Sequence, residues 1–280
     1  MDTQPSSIIS SPVICDFLLH LFRKGYSSSS LNSARSSLSF FSNSDNLASD
    51  PHVSRLFKYF YRERPRKAKY ITYWPVSQVL NYLKTLHPPS SISLKFLTLK
   101  TVALIAISSS DRGQTLNLLD INKLHLSPNK LSFVITNRLK TTKRVLKPKV
   151  VTCYSSLCES LSPFLYVNEY LAKTAKFRKP EDSQLFLSWA SKKPVSKTTI
   201  ARWLKTILSL SGVDTQVFQA HSFRGASLSS AYSKGVSLND IMKAGDWRQV
   251  ETFFKHYNAP ASNTPVGQII LDQNQPSSSS

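Results

Sequence analysis

Residues 62–69 read Arg-Glu-Arg-Pro-Arg-Lys-Ala-Lys, five basic side chains around a proline with no apolar periodicity. Such a run has nothing to bury, so it divides the chain into two stretches that must each build a core of their own. Before it, three helical patterns follow one another: Val13, Ile14, Phe17, Leu18, Leu21 and Phe22; then Leu31, Ala34, Leu38 and Phe41; then Val53, Leu56, Phe57 and Phe60. Asp50 ahead of Pro51 marks the third start, an acceptor side chain followed by a proline in the first turn. After the basic run, helical spacing returns at Val79, Leu80, Leu83 and Leu86 and again over 94–107. Short strands are predicted over 124–126, 131–136 and 149–153, with Pro128-Asn129 as the turn between the first two. Helices are then predicted over 157–172, 200–210, 223–233, 238–244 and 250–257, the last anchored by Phe253 and Phe254. The expected fold class is α+β, mainly α with a small antiparallel β-sheet. Its expected parts are a helical domain (1–61), a basic linker (62–70), a larger domain (71–265) and a tail (266–280).

The chain carries 36 Lys and Arg against 16 Asp and Glu, a formal charge of +20, and 41% of its residues are hydrophobic. The apolar content excludes wholesale disorder, and the charge calls for a polyanionic partner, with nucleic acid first in line. Arg62, Arg64, Arg66, Lys67 and Lys69 form either a solvated tether or a strap along phosphates that doubles as a nuclear signal, and the two readings are compatible. Cys15, Cys153 and Cys158 are odd in number and lack CxxC spacing, which supports neither a disulfide framework nor a zinc site. No apolar run approaches the ~20 residues of a membrane span, and residues 1–11 lack the features of a signal peptide. The expectation is an intracellular protein with no membrane association and no metal or other cofactor. Trp74, Trp189 and Trp203 read as packing residues, and Lys192-Lys193 before Pro194 as a solvated turn.

Singly, no polar residue announces a site. In order they do: Arg112 after an apolar helix, Lys140 in a basic hairpin, His221 and Arg224 at a helix start, Trp247 in Gly-Asp-Trp, and Tyr257 ten residues later. This cationic set with one nucleophile resembles the tyrosine recombinase (phage integrase) family. Within it the chain is most similar to the recombinases of DIRS-type retrotransposons, through Leu97-Thr98-Leu99-Lys100-Thr101, His221-Ser222-Phe223-Arg224-Gly225-Ala226-Ser227 and Thr252-Phe253-Phe254-Lys255-His256-Tyr257.

The resemblance implies a helical core-binding domain followed by a catalytic domain, double-stranded DNA as substrate, and a homo-tetramer on paired DNA sites. It also implies strand cleavage through a covalent 3′-phosphotyrosine. Charge that builds on the phosphate oxygens must be met by fixed donors where no metal serves. Arg112 and Arg224 would supply it, with Trp247 donating through its indole N–H, His221 relaying the proton of the nucleophile Tyr257, and Lys140 protonating the leaving oxygen. Lys143 stands as the alternative acid, and Lys143 and Arg144 as further DNA contacts. The pattern departs from the family in Thr115, where many relatives carry a carboxylate that orients the arginine, and in a Trp247-to-Tyr257 gap one residue longer than usual. His256 beside the nucleophile has no assigned role. A cleavage-silent DNA-binding descendant and a type IB topoisomerase-like enzyme are the rival readings. The expected location is the nucleus in a eukaryotic host and the cytoplasm otherwise.

Overall fold

The computed structural model describes residues 9–42, 47–65, 70, 72–137, 148–247 and 249–256, apart from the side chains of 252, 255 and 256. The chain divides into two compact units, Met1–Ala68 and Lys69–Ser280.

The first unit is built on α1 (Ser11–Arg23), α2 (Ser28–Leu38) and α3 (Pro51–Glu63). Ile14, Leu18 and Phe22 lie four apart on one stripe of α1 and meet Leu31, Val53, Phe57 and Phe60 in a single core. Asp50 starts α3 as its sequence suggests, accepting from the amides of His52 at 2.9 Å and Val53 at 3.0 Å. Its other oxygen accepts from the Ser11 hydroxyl at 2.6 Å, which ties the starts of α1 and α3 together and helps hold the carboxyl below its ordinary pKa.

The basic run departs from the expectation at its first three residues. Helix α3 continues through Glu63, so Arg62 belongs to its last turn and meets Glu63 in an exposed pair at 3.7 Å, a contact worth little in water. Arg64 turns back instead of extending outward: it donates to the Phe22 carbonyl and its guanidinium lies 3.5 Å from the Phe22 ring centroid. A flat cation that covers an aromatic face packs as much as it pairs. Arg66, Lys67 and Lys69 lie outside the described residues.

The second unit forms around α5 (Leu94–Ser109), whose residues from Leu97 to Ala106 are all buried. Apolar side chains occupy every face, which suits a helix enclosed by α7 (Pro163–Thr174), α8 (Lys197–Leu210) and α9 (Ser222–Ser233). The remaining helices are α4 (Val76–Thr85), α6 (Gly113–Asn117), α10 (Leu238–Ala244) and α11 (Val250–His256). Strands β1 (Leu124–Ser127), β2 (Lys130–Ile135) and β3 (Lys149–Tyr154) form an antiparallel sheet in that order, with Leu126 opposite Leu131 and Phe133 opposite Val151. Leu131, Phe133 and Ile135 alternate inward and join Val151 and Cys153 in the core. The fold class is therefore the expected one. Among the described residues no helix is long and apolar enough to cross a membrane.

Three local expectations change. Helix α7 begins at Pro163 behind the Ser162 cap, which accepts from Leu165 N, and not at 157; Leu157 is fully exposed. Phe253 is buried but Phe254 is 42% exposed, so one ring anchors α11 and the other rests edge-on against Tyr232. Lys192 is tucked in, donating to the Trp189 carbonyl and lying 4.5 Å from the Phe177 ring centroid. Trp74 and Trp203 are buried, and Trp189 stacks on Trp203 with centroids 4.8 Å apart, as packing residues should.

Lys100 is enclosed within α5, where its ammonium donates to the Leu86 carbonyl at 2.7 Å and lies 3.8 Å from the Tyr166 ring centroid. Burial lowers its pKa from 10.5 to about 8. Between those values the unfolded chain binds a proton that the folded chain does not, so this group adds stability as pH rises, by at most about 1.4 kcal/mol per pH unit. Urea unfolding of Lys100→Met at pH 8 and pH 10 should show a smaller gain with pH than the parent chain; equal gains would place the Lys100 titration elsewhere.

Candidate active site

Helix α9 organises the site. Its start is pinned by Trp74, whose indole N–H donates to the Ser222 hydroxyl at 2.8 Å while the ring meets Phe223 edge-on. Gly225 sits against the Tyr73 ring, where a Cβ would collide with it, so the His-Ser-Phe-Arg-Gly sequence owes its glycine to close approach.

Arg224 is 4% exposed. Its guanidinium donates to the Ser110 carbonyl at 2.9 Å and to the Gly245 carbonyl, and its carbon lies 4.9 Å from the Trp247 ring centroid. One planar fork thus joins the turn after α5 to the turn after α10. Both turns need left-handed backbone, at Ser110 (φ 54°) and Asp246 (φ 47°). Gly245 packs beneath the Trp247 indole, where a Cβ would collide with the ring. The Trp247 indole also meets the Phe253 ring, with centroids 5.8 Å apart and the planes tilted by 41°. The Gly-Asp-Trp motif therefore supplies a carbonyl for Arg224, a reversal of the chain and an aromatic surface.

Arg112 follows Ser110 by two residues and precedes α6, with extended backbone at φ −78° and ψ 152°. Between them Asp111 is buried, its carboxylate 2.5 Å from the Lys149 ammonium at the start of β3. Thr115, on α6, is buried.

His221 lies immediately before α9, three residues from Arg224 and exposed to solvent. Its Nε2 shares a hydrogen bond of 2.7 Å with the Tyr70 hydroxyl. Tyr70 in turn stacks on Phe218 with centroids 5.4 Å apart, and burial raises its pKa. The structure thus gathers Arg224, Trp247, His221 and the backbone leading into Arg112. Lys140, Lys143, Arg144 and Tyr257 lie outside the described residues; Tyr257 directly follows the last residue of α11 in sequence.

Spacing gave no sign of Tyr70, Asp111 or Lys149 as members of this neighbourhood. Tyr70 is 151 residues from His221, and nothing local to either end reports that pairing. Among the described residues no group of three or more His, Cys, Asp or Glu side chains is placed to hold a metal ion.

A model of the phage integrase family matches residues 75–264, about two thirds of the chain. No curated protein shows significant sequence similarity. Among solved structures, the fold is similar to the Tn1549 transposon integrase in complex with transposon right end DNA, at TM-score 0.60 and 11% identity over 97% of this chain and 86% of that one. It is also similar to the XerH site-specific recombinase bound to difH substrate, at TM-score 0.58 and 11% identity over 98% and 75% of the two chains. The lambda integrase dimer bound to a COC′ core site matches at TM-score 0.52 and 15% identity over 93% and 84%. These identities are too low to speak for more than the fold, but the family match covers most of the second unit and contains Arg112, His221, Arg224, Trp247 and Tyr257 together. The chain belongs to the phage integrase family and is a tyrosine recombinase.

Proposed function

We propose that this recombinase is site-specific, acts on paired double-stranded DNA sites as a homo-tetramer, and integrates a mobile element of the DIRS type. The observation that carries the reading is the Arg224 fork, which gathers the Arg112 turn and the Trp247 turn at the start of α9. Tyr257 Oη attacks the scissile phosphorus, the P–O5′ bond breaks, and the DNA 3′ end becomes joined to the enzyme. Lys140 gives a proton to the departing 5′ oxygen, with Lys143 as the alternative donor. Arg112 and Arg224 face the nonbridging oxygens as charge builds there, Trp247 adds an indole N–H, and His221 takes up the tyrosine proton. Attack by the 5′ hydroxyl of another strand reverses these steps and rejoins the DNA.

Residues 1–61 serve as the core-binding domain and 71–265 as the catalytic domain. The strap between them draws on Arg62, Arg66, Lys67 and Lys69, while Arg64 is engaged within the first unit. Residues 266–280 carry Val266, Ile269, Ile270 and Leu271, an apolar set that would dock on a neighbouring protomer. The substrate places the working protein in the nucleus of a eukaryotic host, or in the cytoplasm of any other.

The test begins with selection of bound sequences from randomised duplexes. Nicked forms of those sequences then trap the intermediate, because the short 5′ fragment diffuses away before it can religate. Denaturing gels should show a protein–DNA adduct, and its yield should survive EDTA because fixed cations supply the positive charge. Absence of an adduct on tightly bound sites would favour a cleavage-silent binding protein. Loss on chelation with recovery in Mg²⁺ would replace the mechanism with a metal-dependent one.

A further inference from the structure

The ion pair beside Arg112, between a buried carboxylate and a partly exposed ammonium, is absorbed by none of the roles above. Asp111 is 6% exposed, and a carboxylate taken out of water is costly unless its partner and geometry are good. Its partner Lys149 opens β3 and lies opposite Ile135, the last residue of β2. The pair therefore fastens the turn between α5 and α6 to the end of the sheet. The same turn is held from another side by Arg224, through the carbonyl of Ser110. Holding its two preceding neighbours fixes the backbone position and the Cα–Cβ direction from which the Arg112 side chain starts. The Arg112 guanidinium itself has no hydrogen bond or ion pair with any described residue, so what the fold sets for it is the backbone position from which it reaches.

We propose that Asp111 and Lys149 are positioning residues for Arg112: their ion pair fixes the backbone from which that guanidinium reaches the scissile phosphate. The proposal rests on the recombinase reading above. A displacement of about 1 Å at a group that must meet a transition state can cost on the order of 10²-fold in rate. The pair touches no reacting atom, so its loss should leave DNA affinity nearly intact.

The experiment uses the full chain with Asp111→Asn, Lys149→Met, the double variant and Lys149→Arg. Thermal stability, duplex affinity and single-turnover adduct formation on a nicked site are measured for each, below the lowest melting temperature. Lys149→Met should lower Tm because it leaves the buried Asp111 carboxylate unpaired, and Asp111→Asn should lower it less because the Lys149 ammonium is partly exposed to water. The double variant should recover Tm to within about 3 °C of the parent, yet still form adduct roughly 10- to 100-fold more slowly. Affinity should stay within about threefold, and Lys149→Arg should regain most of the rate. Recovery of rate together with Tm in the double variant would reduce the pair to a structural element and overturn the proposal. Parental rates in the single variants would do the same. If the parent forms no adduct at all, the recombinase reading falls and this inference falls with it; if only the variants behave otherwise than stated, the inference alone falls.

Discussion

Tyr257→Phe is expected to abolish covalent capture of nicked DNA, a loss on the order of 10⁴-fold or more, because phenylalanine has no oxygen to attack phosphorus. Folding should survive, since the anchor of α11 is Phe253, buried against Leu228 and Ile241, and not the residue that follows the helix in sequence. DNA affinity should survive as well, because it draws on backbone phosphates along the whole footprint. A phenol beside His221 makes the experiment discriminating. Tyr70 lies within hydrogen-bond distance of His221. Burial raises its pKa, so the reactive phenolate forms less readily there. An adduct that persisted in Tyr257→Phe and vanished in Tyr70→Phe would transfer the nucleophile to Tyr70. Denaturing gels of both single variants and the double variant read this directly, with circular dichroism and a binding assay as controls.

Arg224→Lys should be nearly as damaging, with adduct formation falling about 10³-fold, since a buried donor to developing charge is commonly worth that much. Lysine keeps the charge but loses the fork. One ammonium cannot reproduce the planar guanidinium that donates to Ser110 and to Gly245 while covering the Trp247 ring. Two consequences separate in the measurements. A carbonyl left without its donor in the buried turn costs about 1–3 kcal/mol, visible as a lower Tm. The rate should fall further than that loss of stability explains, because the turn that precedes Arg112 loses its Arg224 contact as well. Near-parental rates in a stably folded Arg224→Lys protein would show that charge alone suffices and that the fork serves packing only.

Much of this architecture is legible in the chain because its signals are local. The stripe of Ile14, Leu18 and Phe22, the Asp50-Pro51 start of α3 and the inward alternation of Leu131, Phe133 and Ile135 each involve residues a few positions apart. Backbone geometry relates such neighbours in the same way in every protein. The start of α7 was equally local: Ser162 and Pro163 mark it more strongly than the apolar Leu157 that suggested an earlier one. Adjacent Phe253 and Phe254 show where periodicity stops helping, since helical positions one apart differ by about 100° and only packing selects the buried ring.

For the site, the succession of residue types, together with the family it resembles, was enough to nominate Arg112, Lys140, His221, Arg224, Trp247 and Tyr257. Tertiary structure decided their partners. Arg224 binds carbonyls 114 and 21 residues away, His221 pairs with Tyr70 across 151, and Lys149 crosses from the sheet to Asp111. Arg64 likewise left the basic run for Phe22, 42 residues earlier. None of these pairings has a spacing rule, because the energy that selects them comes from burying a charge or ring against whatever the completed fold brings near it.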